Sequence, residues 1–346
     1  MENSQLHQNS ELSKKMKHGI LFAAIIGVLS ISIFFMSRSY QKKTSAESNK
    51  PMFAFVVDIP GRFWEVAYAG CLKAGQEENV EVEYHAPGQS SPAQQQQIVE
   101  SLVARGCRGI AICPLNPESI SRLLDKASEY MPVVCQGSDA PQSRRMAYIG
   151  ADNFSAGRIA GEQLKKAMPE GGQVAIFSAT MDIANQRERS DGVIDALKGS
   201  NCEVVGVFTD QADRARAQAN VRTILAKYPD LKGIVGVAGY NAPAAVMALR
   251  DYSNHKIKVV GFDEDVETFE AIRRGDIYAS VAQQPFEFGY QSIKMLAKTN
   301  RGQKVDLPEN KIIFVPVYII NKDNVNTVEK DVEQKLSALS MKVKHF

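Results

Sequence analysis

The sequence predicts an α/β protein with two domains, each built on a parallel sheet. From Pro51 onward, short apolar segments alternate with amphipathic helical segments, which is the rhythm of consecutive βαβ units in a parallel sheet. The rhythm restarts after a short apolar segment at 147–149, which gives two sets of similar size. The segment 51–346 is also longer than a domain with a single hydrophobic core usually is, so the sequence favours two domains over one.

The N-terminal region predicts export of the folded part out of the cytoplasm. Residues 19–37 (GILFAAIIGVLSISIFFMS) carry no charge, and as a helix they would span roughly 28 Å, close to the hydrocarbon thickness of a bilayer. The basic segment 1–18 precedes this run, as in an export signal. A membrane anchor and a cleaved signal peptide both fit, because 44–46 is only a weak cleavage site. The polar, aperiodic residues 38–50 predict a linker.

The first α/β set follows this linker, and each element is predicted from its apolar pattern. The expected strands are 53–57, 80–84, 109–113, 133–135 and 147–149, and the expected helices are 63–78, 92–104 and 117–130.

The second set repeats the pattern and is followed by a C-terminal part that periodicity assigns less clearly. Its expected helices are 153–168, 186–198, 213–228, 242–252 and 265–274, and its expected strands are 173–177, 203–208, 233–237, 258–262 and 278–282. A helix at 286–299 and one strand near 312–317 could return to the first lobe. The tail after Asn324 predicts a polar surface helix.

Composition and motifs exclude several classes of function. The formal charge is +2 with basic and acidic residues intermixed, which does not indicate nucleic-acid binding. The five cysteines have no paired spacing and no neighbouring histidines, so we expect no metal site and no cofactor. The glycine-rich nucleotide loops, the nucleophile elbow and the zinc-protease motif are absent, so the sequence does not predict an enzyme.

Polar and aromatic side chains collect where the predicted strands end. Because the carboxyl ends of parallel strands face one crevice, we expect these side chains to converge on a ligand. The first set contributes Asp58, Phe63, Trp64, Ser138 and Asp139, and the second contributes Asn185, Arg189, Asn241, Asp263 and Gln283. Carboxylate, amide and guanidinium groups bind vicinal hydroxyls, and an aromatic ring covers the apolar face of a sugar. A sugar or similar polyol is therefore the predicted ligand.

Five of these residues also have a purely structural interpretation. Trp64 fits the core side of its helix, Asp139 fits a turn, and Asn241 fits a helix N-cap. Arg189 fits a solvated helical face. Asp263 ends a strongly apolar strand, so its carboxylate needs partners, which a ligand or the next helix could supply.

Seven short motifs connect the candidate residues. They are FW at 63–64, SDAP at 138–141, YIGADN at 148–153, NQRERSDG at 185–192, YNAP at 240–243, VVGFDED at 259–265 and VAQQPFEFGY at 281–290. In this order they resemble the ribose-binding-protein-like periplasmic sugar-binding proteins of ABC transporters, and the resemblance covers residues 51 to about 325.

The resemblance implies the type I periplasmic binding protein fold, in which two doubly wound parallel-sheet lobes enclose a ligand cleft and close by a hinge. The implied lobes and tail are 51–151 plus 284–312, 152–283 plus 313–325, and 326–346, with crossings near 151–152, 283–284 and 312. Phe63 and Trp64 match the stacking aromatics of the family. Its polar ligand contacts match Arg189, Asn241, Asp263 and Gln283, and the matching loop of the first lobe contains Ser138 and Asp139.

Three positions depart from the family pattern. Gly137 stands where a strand-end carboxylate is usual, Gly61 where an amide is usual, and an aromatic residue near Ala212 is missing. These changes imply a ligand that is larger than a pentose or differently oriented.

The functional prediction is an extracytoplasmic, monomeric binding protein that delivers a sugar to an ABC permease without catalysing a reaction. A membrane-tethered sugar sensor that signals to a receptor kinase is the alternative. A sugar-responsive transcription regulator would need a DNA-binding motif before Pro51, where the sequence has the apolar run instead.

Overall fold

Two six-stranded sheets organise the part of the chain that the computed structural model describes, which is residues 50–88, 91–250, 252 and 256–343. The chain from Pro51 onward forms one compact unit. The predicted basic segment and membrane-targeting helix lie outside the described residues, as does all of the predicted linker except Lys50. Within the described ranges, every helix is too short or too polar to cross a bilayer.

The helices and strands follow one another in the predicted alternation. The strands are β1 Met52–Val56, β2 Glu81–His85, β3 Ile110–Ile112, β4 Val133–Gln136, β5 Ala147–Gly150, β6 Gly172–Ser178, β7 Cys202–Thr209, β8 Leu231–Gly236, β9 Lys258–Phe262, β10 Ala279–Ala282, β11 Ile312–Phe314 and β12 Tyr318–Ile320. The helices are α1 Arg62–Glu78, α2 Pro92–Ala104, α3 Pro117–Ala127, α4 Asn153–Ala167, α5 Ala184–Leu197, α6 Arg214–Lys227, α7 Asn241–Leu249, α8 Val266–Arg274, α9 Pro285–Asn300 and α10 Val325–Val343.

The first sheet has the strand order β11-β5-β4-β3-β1-β2, and all of its pairings are parallel. Both of its faces are covered, so its central strands are apolar on both sides. Phe53 and Phe55 of β1 pack into the core beneath α1 and α9. Ala54 and Val56 of the same strand face a second core with α2 and α3.

The second sheet has the strand order β12-β10-β9-β8-β6-β7. Its pairings are parallel except for the edge pair β10 and β12, which is antiparallel. Phe177 contributes to the core shared with α6, α7 and α8. Phe262 contributes to the core on the opposite face, shared with α4 and α5. Each lobe therefore has a core on both sides of its sheet.

The chain passes from one sheet to the other three times: after β5, after β10, and between β11 and β12. At the third passage the structure differs from the sequence prediction of one strand at 312–317. Ile312–Phe314 pairs with β5 of the first sheet, whereas Tyr318–Ile320 pairs with β10 of the second. Pro316 lies between them and cannot donate a backbone hydrogen bond, which favours a break at this point.

Helix α10 is the predicted surface helix of the tail, and it contacts both lobes. Its buried residues Val325 and Val332 belong to the core on one face of the second sheet. Glu333 forms an ion pair with Arg62 of α1 at 2.6 Å, and Glu329 forms one with Arg273 of α8. The helix therefore links α1, beside the first sheet, to α8, beside the second.

Candidate functional site

A cleft of about 660 Å³ opens between the carboxyl ends of the two sheets. This volume lies within the range of about 300–1,000 Å³ that is typical of small-molecule sites. Loops after β1 and β4 form one side, which we call the first wall. Loops after β6, β7, β8, β9 and β10 form the other side, the second wall. The lining side chains include Asp58, Arg62, Phe63, Trp64, Asn185, Gln186, Arg189, Arg214, Tyr240, Asp263, Asp265, Glu267 and Gln283.

The carboxylate of the first wall, Asp58, is already bound by its neighbours. Asp58 follows β1, and its Oδ1 accepts hydrogen bonds from the Trp64 indole at 2.5 Å and from the Ile59 backbone amide at 2.7 Å. Burial raises the pKa of Asp58, and these hydrogen bonds oppose the rise. The carboxylate thus holds the indole in place at the start of α1.

The aromatic part of the first wall leaves no room for a side chain at the end of β4. Phe63 and Trp64 meet edge to face, with ring centroids 4.6 Å apart. Gly137 has a φ of +70°, and a Cβ built there would lie 2.7 Å from Cη2 of Trp64. The indole therefore occupies the space into which a side chain at 137 would project, which gives a physical reason for glycine at this position.

The second wall is centred on the buried guanidinium of Arg189, which is 3% exposed. Its Nε donates to Asn153 at 3.0 Å, its Nη1 to the Val237 carbonyl at 3.0 Å, and its Nη2 to Gln283 at 2.6 Å. The guanidinium also lies 4.8 Å from the centre of the Phe262 ring. Burial lowers the pKa of Arg189, and the charge of Asp263 opposes that change. These contacts fix the planar group in one orientation.

Asp263 extends this chain of hydrogen bonds. Its Oδ1 accepts from Nε2 of Gln283 at 2.6 Å, while Oε1 of Gln283 accepts from Arg189. Burial raises the pKa of Asp263 from its ordinary 3.8 to about 6, and Arg189 and Gln283 oppose that rise. Asp263 also has a φ of +65°, an uncommon backbone conformation for a non-glycine residue and a frequent one at ligand sites.

Asn241 lies behind the lining of the cleft. Its Oδ1 accepts from the Ala238 amide at 3.0 Å, and its Nδ2 donates to Asp210 at 2.8 Å. The preceding residue, Tyr240, does line the cleft, and its hydroxyl donates to the same carboxylate of Asp210. Asn241 thus stabilises the loop from which the neighbouring residue, Tyr240, reaches the cleft.

The structure brings six of the nine candidate residues to the cleft lining. Phe63, Trp64, Asn185, Arg189, Asp263 and Gln283 lie there, whereas Ser138, Asp139 and Asn241 do not. Asp139 instead forms an ion pair with Arg145, and the hydroxyl of Ser138 is buried. Whether each lining residue contacts a ligand stays a prediction.

Asn185 links the two walls. Its Nδ2 donates to the Gly137 carbonyl at 3.3 Å, a contact from the start of α5 to the end of β4. Its Oδ1 is buried without a partner among the described residues. A ligand hydroxyl placed here would satisfy this oxygen, because a buried acceptor without a partner is unfavourable.

The sequence prediction omitted three lining or supporting residues of the second wall. Asp210 follows β7, Tyr240 precedes Asn241, and Asp265 comes two residues after Asp263. Asp210 was identifiable by the rule that identified Asp263, because it directly follows the end of a strand. Among the described residues, no group of three histidine, cysteine, aspartate or glutamate side chains is arranged to hold a metal ion.

Comparisons with known proteins agree with this architecture. A family model described as a periplasmic binding protein domain matches residues 53–304. The ribose import binding protein RbsB of Salmonella typhimurium is 25% identical, over 63% of this chain and 74% of its own length.

Two solved structures are similar to this chain over most of their own length. A solute-binding protein from Burkholderia graminis in complex with D-arabinose has a TM-score of 0.76 and 29% identity, covering 80% of this chain and 96% of that one. The XylFII–LytSN complex gives a TM-score of 0.74 and 26% identity, covering 79% and 98%. These matches confirm the predicted two-lobed fold.

Proposed function

Because this chain belongs to the periplasmic binding protein domain family, we propose that it binds a sugar in the cleft and delivers it to an ABC transporter permease. Proteins of this family are extracytoplasmic and bind ligands rather than catalyse reactions, as the sequence predicted. The proposal adds the ligand class and the transport partner.

The observation that carries the ligand proposal is the chain of hydrogen bonds from Arg189 through Gln283 to Asp263. It presents fixed donors and acceptors at the edge of a cleft whose other wall is aromatic. A sugar has matching chemistry, because its hydroxyls both donate and accept while its C–H faces pack on rings. The RbsB relative and the solved complex with D-arabinose support the same class.

Trp64 makes a direct test available because it is the only tryptophan in the chain. The full-length chain, in a mild detergent, would be titrated with D-ribose, D-arabinose, D-xylose, D-galactose and D-allose while indole emission is recorded. Thermal unfolding at saturating sugar would be measured in parallel, since a ligand that binds only the folded state raises the Tm. At least one sugar should change both signals. Unchanged emission and Tm with every sugar would contradict the proposal.

The second candidate function is a sugar sensor that passes ligand binding to a membrane receptor. The similarity to the XylFII–LytSN complex favours it, because there a similar chain is held with another protein component. Deletion of the gene would separate the alternatives. Loss of uptake of the bound sugar supports transport, whereas normal uptake with loss of a sugar-dependent transcriptional response supports sensing.

We further propose that residues 19–37 direct the chain across the membrane and that the folded part acts as a monomer. The apolar length of that run supports the first statement. Cell fractionation with N-terminal sequencing of the recovered protein would distinguish a retained anchor from a cleaved signal. Sedimentation of the purified protein would test the monomer.

A further inference from the structure

We propose that Tyr240 is a specificity-determining residue of the second wall, which contacts the sugar through both its ring and its phenol oxygen. This inference rests on the proposed function, since it assigns a role within the same cleft.

The position of Tyr240 places it next to the charged part of the second wall. It lines the cleft at the start of α7 and is partly exposed. Gly239 precedes it, and a Cβ built on that glycine would lie 3.1 Å from Oδ2 of Asp263 and 3.2 Å from Oδ2 of Asp265. The tyrosine therefore follows a glycine whose missing side chain leaves room for both carboxylates.

The orientation of the phenol is fixed by a completely buried carboxylate. The hydroxyl of Tyr240 donates to Oδ1 of Asp210, which is 0% exposed. Oδ1 also accepts from the Ala212 amide at 3.0 Å, and Oδ2 accepts from Asn241 at 2.8 Å. Asp210 and Asn241 are thus positioning residues that hold the ring at the cleft.

This geometry leaves Tyr240 with a defined chemistry toward a sugar. Burial and the neighbouring carboxylate of Asp210 raise the pKa of the phenol, so it stays neutral. Its proton is directed at Asp210, and the phenol oxygen can then accept a hydrogen bond from a sugar hydroxyl. Its ring provides an apolar face for C–H groups. A sugar with a hydroxyl at this point should be preferred over one that lacks it.

The test compares two tyrosines of the same lobe in the full-length chain. Tyr240→Ala removes the ring and the oxygen, and Tyr240→Phe removes only the oxygen. Tyr278→Ala and Tyr278→Phe are the matched controls, because Tyr278 is 41% exposed and directly precedes β10, at the opposite end of that strand from Gln283. Affinity for each of the five sugars named above would be measured by Trp64 emission, with the Tm of every unliganded variant.

The expected result is a rise in Kd of about tenfold or more for Tyr240→Ala with the best-bound sugar. Tyr240→Phe should change the ratio of affinities between two sugars by about threefold or more, which a purely structural role would not do. The Tyr278 variants should stay within twofold of wild type. If Tyr240→Ala does not fold, the ratio measured with Tyr240→Phe decides.

Two negative results have different meanings. If wild type binds a sugar while the folded Tyr240 variants bind it within twofold and in the same order of preference, the role of Tyr240 is overturned. If wild type binds none of the five sugars, the proposed function itself fails, and the inference fails with it.

Discussion

On the first wall of the cleft, the carboxylate of Asp58 is taken up by Trp64 and by the backbone, and the end of β4 is a glycine packed against the indole. On the second wall, Arg189, Gln283 and Asp263 form a continuous chain of hydrogen bonds that ends at the cleft. Asp263 uses Oδ1 for Gln283, and among the described residues no hydrogen bond occupies its Oδ2.

This difference indicates that the two walls contribute different kinds of contact to a bound ligand. The first wall offers apolar ring surface, and its carboxylate, Asp58, is satisfied within the protein. Arg62 is the charged group of this wall, and its Nε is buried without a partner among the described residues. The second wall holds charged groups in fixed orientations with hydrogen-bonding capacity left over. Because polar contacts in an enclosed site discriminate between ligands more strongly than apolar contacts do, selectivity should reside mainly in the second wall.

Replacement of Asp263 should have the largest effect on binding. Asp263→Ala removes the acceptor that faces the cleft and leaves Nε2 of Gln283 without its acceptor, so sugar affinity should fall by about 100-fold or more. Asp230→Ala is the matched control, because Asp230 is an exposed carboxylate in the turn before β8. Fluorescence titration measures both. A loss of sugar affinity of less than about tenfold for Asp263→Ala would contradict this assignment and indicate that selectivity resides mainly in the first wall.

The crowding of the first wall can be tested with two glycines of nearly equal conformation. Gly137 and Gly199 have φ values of +70° and +73°, but a Cβ at Gly199 would meet nothing within 4 Å. Gly199→Ala should lower the free energy of unfolding by about 1 kcal/mol through backbone strain alone. Gly137→Ala should lower it by about 2–4 kcal/mol, because a clash with Trp64 is added.

Thermal and denaturant unfolding measure this difference, and the emission of Trp64 should change only in Gly137→Ala. Equal destabilisation by the two substitutions would mean that the indole moves aside freely and does not define the first wall.

The pH dependence of stability and of sugar affinity should reveal the contribution of Asp263 in the second wall. The raised pKa of Asp263, about 6, means that the folded protein holds a proton that the unfolded chain has already released. This contribution to stability is complete below pH 3.8 and is lost as the pH rises through about 6. Sugar affinity should change in the opposite direction and increase between pH 5 and pH 7, because the ionised carboxylate is the stronger acceptor.

Asp263→Asn should remove the rise in sugar affinity in that window and reduce the loss of stability, and Glu264 should account for part of the loss that remains. Glu264→Gln serves as the comparison, since burial also raises the pKa of Glu264, to about 7, while its hydrogen bond is with Tyr318. If Asp263→Asn binds sugar with the same pH profile as wild type, another group controls the titration.

The smallest effect on stability and binding is expected at the ion pair between α10 and α1, on the outer surface of the protein. Glu333 is exposed and pairs with Arg62, so Glu333→Gln should lower the Tm by about 2 °C or less. Sugar affinity should stay within twofold of wild type, as should that of the control Glu309→Gln, an exposed loop residue. A larger change in affinity for Glu333→Gln alone would show that the orientation of Arg62, which lines the cleft, contributes to sugar binding.

Most of the fold was predictable because the central strands of each sheet are covered on both faces and are therefore short, continuous apolar runs. Two features are predicted only in part. The segment 312–317 is predicted as one strand, because periodicity carries no information about which sheet a strand joins. The tail after Asn324 is predicted as a polar surface helix, yet Val325, Val328, Val332 and Leu336 recur at helical spacing and pack against the second lobe.

The candidate site was predictable to the extent that strand ends converge. Asp263 and Gln283 follow neighbouring strands, and the structure brings them into contact. The rule does not say which residue of a loop turns toward the cleft. Asp139 turns to Arg145, and Asn241 turns to Asp210, because partners several residues away or on another loop determine these orientations.

Helix α10 has a mechanical consequence. It touches α1 and α8, and the first residues of those two helices form opposite rims of the cleft. A hinge motion that spreads the rims must therefore shift or release α10 on one side. Such a motion would change the position of a helix at the surface, which a label attached to α10 would report without entering the cleft.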